Sequence, residues 1–100
     1  VNMELNTSLS SGQAKFALWV EDKMPYLLHL FDFDRGMLLT DKLEAYLSVA
    51  SHGEQIMARF VATVWTHENK YEFNIVDAAS VLDEQQVVVV TSWLRQPIWA

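Results

Sequence analysis

A chain of 100 residues, 51% apolar and 12% aromatic, is rich enough in core-forming side chains to exclude wholesale disorder and short enough to be one domain with a modest core. Thirteen Asp and Glu against seven Lys and Arg leave a net charge of −6, spread along the chain; a field of that sign repels phosphate backbones and anionic lipid heads, so neither a nucleic-acid partner nor a membrane partner is expected. The absence of cysteine excludes disulfides, thiolate metal ligands and a thiol nucleophile, and agrees with a cytoplasmic setting.

Residues 1–9 read as a polar lead-in with Leu5 and Leu9 as apolar anchors; neither a cationic leader nor an apolar signal core is visible. Ser10 and Gln13 have capping-box spacing, and Phe16, Val20 and Met24 then share a face, which predicts a helix over about 11–23. Pro25 either kinks that helix or, the preferred reading, takes the first position of a second one running through Leu27, Leu28 and Phe31. Asp32 to Thr40 reads as a loop with inward anchors Phe33, Met37, Leu38 and Leu39, Gly36 allowing a positive φ. Thr40 is then the expected N-cap of a helix carrying Leu43, Tyr46, Leu47 and Ala50.

The most legible stretch is Ser51 to Trp65. Ser51 and Glu54 form a second capping box, Ile56, Phe60 and Val64 recur every four residues, and Met57, Val61 and Trp65 make the adjoining row. Gln55, Arg59 and Thr66 fall opposite. So broad an apolar stripe must be covered by the other segments. Asn74 and Asp77 have cap spacing for a short helix, and Asp83 with Gln86 opens a last one bearing Val87, Val90 and Leu94 on one face, joined by Val89 and Trp93. Pro97 ends it, and Ile98 and Trp99 are expected to fold back as an apolar strap. The expected fold is mainly α: a single compact domain of four to six short helices packed around helix 52–65. Four consecutive Val and the run from Arg59 to Ile75 support a rival α+β fold with a hairpin near 60–76.

Sites of chemistry are scarce. Counted from Asp32, a calcium loop fails at its fifth, sixth and twelfth positions, occupied by Gly36, Met37 and Leu43. His67-Glu68 begins like a zinc-protease helix, but the second His would fall at Tyr71. Glu21-Asp22 and Asp83-Glu84 are neighbours that point apart on a helix. No catalytic residue, cofactor or metal is therefore assigned. His29, between two leucines, reads as a half-buried structural residue and His52, beside a helix N-terminus, as a turn residue; in the alternative of a pocket between helices, His52 or His67 supplies its polarity. Trp65, Trp93 and Trp99 read first as part of an intramolecular core; the sharper reading is that some of them, with Met57 and Phe60 and rimmed by Arg59 and Arg95, form an interface centre.

The segments Ser51–Trp65 and Leu82–Trp99 resemble parts of small uncharacterised bacterial proteins carried on mobile gene cassettes, through Ser51-His52-Gly53-Glu54, Met57-Ala58-Arg59-Phe60, Leu82-Asp83 and Trp93-Leu94 with Pro97 and Trp99. The resemblance covers the second half only. It implies a compact helical domain and no activity. The expected function is a small interaction module, a homo-oligomer (a dimer) or a binder of a protein or peptide, closing an aromatic and Met-bearing face; the alternative is a small-molecule binder, or an enzyme, with an apolar pocket.

Overall fold

The computed structural model describes residues 9–100, so the anchor expected at Leu5 lies outside the described residues. Helices dominate: α1 (Ser11–Lys23), a 3-10 helix (Pro25–Leu30), α2 (Thr40–Val49), α3 (His52–Thr66), α4 (Ile75–Val81) and α5 (Glu84–Arg95), with one small hairpin of β1 (Phe31–Asp32) and β2 (Met37–Leu38). The fold is mainly α. Helix α3 runs through the segment that the rival hairpin needed, and the four valines lie within α5.

Local chemistry accounts for these boundaries. At α1 the Gln13 N–H donates to Ser10 Oγ (3.0 Å) and the Ser10 N–H to Gln13 Oε1 (3.1 Å), so two backbone donors that the helix leaves open are satisfied. The same reciprocal pair forms at Ser51 and Glu54 and at Asp83 and Gln86, while Asn74 Oδ1 accepts from the N–H groups of Val76 and Asp77. Thr40 departs from expectation. It is the first helical residue of α2, its predecessor Leu39 occupies the cap, and no side chain caps that end.

After Met24 the chain tightens into the 3-10 helix instead of the α-helix expected through Phe31. Met24, Leu27 and Leu30 are all buried at intervals of three, the period at which 3-10 geometry stacks side chains on one line. Phe31 belongs to β1. The segment expected to be a loop from Asp32 is a hairpin pairing Phe31 with Leu38 and Asp32 with Met37, turned by Gly36 at φ 65°. Asp32 fastens the turn by accepting from the Arg35 N–H. Phe33 and Leu38 do pack inward, whereas Met37 is exposed.

The core gathers on α3, which buries Ile56, Met57, Ala58, Phe60, Val61, Ala62 and Val64. Phe16 of α1 meets it at the centre of an aromatic cluster, with ring centroids 5.3 Å from Phe31 and 5.2 Å from Trp65. A second chain of rings links Trp19 to Phe60, Phe60 to Trp93 and Trp93 to Trp99 at 4.9–5.9 Å. Buried aromatic pairs in such tilted and edge-on geometries add to the burial itself. The strap expected at Ile98 and Trp99 is present: the Trp93 indole N–H donates to the Ile98 carbonyl (2.9 Å), and Ile98 packs on the core.

Candidate functional site

The interface residues anticipated from composition do not form one surface. Met57 is fully enclosed and Phe60 is 3% exposed, because both point from α3 into the core; neither can reach a partner. Trp65 is half-buried against Phe16, Phe31 and Phe33, and Trp93 against Phe60. Trp99 alone of the group is an exposed large apolar residue, on the strap, and Arg95 is exposed at the end of α5. Arg59, expected at the rim, turns to the opposite side of α3, where its Nη1 donates to the Tyr71 carbonyl (2.6 Å).

The histidines separate as well. His67 ends α3 in the left-handed region (φ 61°) and its Nε2 lies 3.0 Å from the Ala100 carbonyl oxygen, with its ring 5.2 Å from Trp99. It fastens the strap and lines none of the cavities described here. His29 is exposed, not half-buried, and rests edge-on against Tyr46. His52, the first residue of α3, does line a cavity of about 210 Å³, but that cavity is polar. Gln55 and Arg59 share its α3 wall; Glu72, Asn74 and Asp77 form the facing wall from the loop and the start of α4. The pocket anticipated between helices was to be apolar, and this one is lined chiefly by hydrogen-bonding side chains.

An apolar groove does exist elsewhere. It lies between α4 and α5, about 240 Å³ in volume, with Ala78 and Val90 on its floor and Ile75 and Leu94 on its rims. Its rims are 53% and 55% exposed and its floor residues 3%. Val76 and Val88, on the same two helices, are exposed too. Among the described residues this is where large exposed aliphatic side chains concentrate. The expected inward face of α5 thus splits: Val90 is buried, Val87 is half-buried, and Leu94 is exposed on the groove's rim.

A third site joins the 3-10 helix, the start of α3 and the start of α5, where Tyr26, Glu54, Asp83 and Gln86 meet. Burial raises the Tyr26 hydroxyl above its ordinary value, the hydrogen bond with Gln86 opposes this, and the carboxylates of Glu54 and Asp83 raise it further. Tyr46 is pushed up to about 12, by burial first and then by Glu54 and Tyr26. Both phenols stay protonated at neutral pH and serve as hydrogen-bonding groups, not bases.

Among the described residues no three His, Asp or Glu side chains converge to hold a metal ion, and no helix is long and apolar enough to cross a membrane. No family model, no curated protein and no solved structure gives a significant match to the chain.

Proposed function

We propose that this chain is a small cytoplasmic interaction module that pairs with a second copy of itself through the α4–α5 groove. The observation that carries the reading is the groove: an open, uncharged trough flanked by exposed aliphatic side chains, whereas the other exposed large apolar groups among the described residues, Leu18, Tyr26, Met37, Val49 and Trp99, each lie on a different element. Its form favours a second copy. The rims are the branched side chains of Ile75 and Leu94, and the floor is narrowed only by Ala78, Ala79 and Val90. A two-fold axis across the groove sets the rim of each copy over the floor of the other, as an isologous contact requires.

Two copies of net charge −6 repel one another at long range, so the contact has to form where charge is absent. No ionisable side chain lines the groove, so the net −6 of each copy stays outside the contact and is not desolvated there. A standard interface covers roughly 800 Å² per partner, so the contact extends from the groove over Val76 and Val88. The aromatic and Met-bearing face anticipated from composition is replaced in this reading by an aliphatic one, because Met57 and Phe60 are committed to the core.

The chain has no cysteine, so Ala79→Cys, lining the groove, provides a single thiol for a short bis-maleimide. Val49→Cys, on the exposed side of α2, is the control. Covalent dimers from the first and not from the second are expected; equal yields from both would remove the groove as the contact.

A further inference from the structure

We propose that the polar cavity between α3 and the loop leading into α4 is a binding site for a small zwitterion of amino-acid size, one carrying a carboxylate and an ammonium group. The cavity holds about 210 Å³, below the roughly 300–1,000 Å³ of pockets that take drug-sized molecules. Its walls carry opposite charges. Arg59 lies on the α3 side, and Glu72 and Asp77 lie on the facing side, one before α4 and one in its first turn.

Arg59 is the strongest pointer. Its guanidinium is always charged and offers five N–H donors, and Nη1 is fixed by its 2.6 Å bond to the Tyr71 carbonyl. The ion pairs among the described residues join Lys23 to Asp22 and Arg35 to Asp32; Arg59 takes part in neither. A half-buried guanidinium, held in place and lining a cavity without a carboxylate partner, is prepared for an anionic group from outside. Tyr71 holds it through a neutral backbone carbonyl, so no carboxylate is bonded to it directly.

The facing wall is built with comparable care. Glu72 stands at φ 60°, a left-handed conformation that a non-glycine residue adopts at a cost. Asn69 holds it there from two directions: its carbonyl accepts the Glu72 N–H (3.1 Å), and its Oδ1 accepts the Phe73 N–H (2.9 Å). Glu72, an exposed residue, thereby lines the cavity along with Asp77. The two carboxylates and one guanidinium of the lining sum to −1, on a protein of net charge −6. A ligand with a surplus amine, such as free lysine or arginine, is therefore preferred over an acidic amino acid. Asn74 Oδ1 is taken by the α4 N–H groups and Gln55 Nε2 by the Ala50 carbonyl, so the neutral partners on offer are Asn74 Nδ2 and Gln55 Oε1.

The site is independent of the α4–α5 groove and is tested without reference to it. Lysine, glutamate, acetate and methylamine are titrated separately into the isotope-labelled protein, and amide shifts are followed by NMR. Saturable shifts of residues 52–59 and 72–77 with lysine, weaker ones with glutamate, and weaker ones again with the single-charge probe acetate are expected, with methylamine also below lysine. Glu72→Gln keeps the shape and removes one charge, and is expected to weaken lysine about tenfold, the scale of one charged hydrogen bond; Arg59→Gln is expected to do the same through the other wall. Should Arg59→Gln disturb the fold through Tyr71, Glu72→Gln and Asp77→Asn still decide. No saturable shift with lysine at millimolar concentration, shifts located elsewhere, or affinity unchanged in Glu72→Gln and Asp77→Asn would overturn the proposal.

Discussion

Gly12 of α1 and the carbonyl of Trp99 meet backbone to backbone: a Cβ on Gly12 would stand 2.5 Å from that oxygen. The strap is fixed on its other sides by the Trp93 indole on Ile98 and by His67 beside Ala100. Gly12→Ala therefore has to displace main chain, which is far stiffer than a side-chain end. A loss of about 1–3 kcal/mol is expected, the usual scale of overpacking, read as a lower urea midpoint together with altered Trp emission. At Gly53 a Cβ would meet only the end of Gln86, at 3.1 Å, so Gly53→Ala is expected to cost less.

Ser51→Ala removes one half of the capping box that opens α3 and is expected to destabilise the protein by about 1 kcal/mol. Thr40→Ala, at a site with capping chemistry in sequence but no cap bond in the structure, is expected to change stability far less. Chemical denaturation of the two variants side by side checks the contrast.

Phe16 lies fully buried where α1, the hairpin and α3 meet. Phe16→Ala opens a cavity that the aromatic rings around it cannot collapse to fill, with an expected loss of about 3–5 kcal/mol by the same denaturation measurement.

Tyr46 gives an alkaline signature. Its folded pKa, about 12, lies above the ordinary 10.0, so the unfolded chain gives up the phenolic proton first. The stability tied to this group is complete below pH 10 and is lost as pH rises toward 12; Tyr26, raised as well, acts in the same direction. Tyr46→Phe is expected to flatten the fall of the urea midpoint over this range, and tyrosinate absorbance of the native chain to appear late.

Much of the fold was legible because its signals are local. Three capping boxes and the four-residue rhythm of Ile56, Phe60 and Val64 place helix ends and the central stripe with no tertiary information. The 3-10 helix was missed because Leu27, Leu28 and Phe31 also fit α spacing, and only packing decides that Met24, Leu27 and Leu30 are the inward set. The β1–β2 hairpin was missed because two residues per strand leave no alternation to read. Neither site could be read in full. Arg59 was visible as the polar side of α3, but Glu72 and Asp77 face it only once the loop has turned, and Leu94 shows the same periodicity whether α4 covers it or not. Met57 and Phe60 carried an interface composition that equally describes a core, which is where they lie.

The dimer reading is tested most directly by sedimentation equilibrium over a wide concentration range, comparing the native chain with Leu94→Asp and with Val49→Asp as an exposed control away from the groove. A reversible monomer–dimer equilibrium that Leu94→Asp abolishes and Val49→Asp leaves in place is the predicted result. A native chain that remains monomeric at every concentration, or a dimer indifferent to Leu94→Asp, would contradict it.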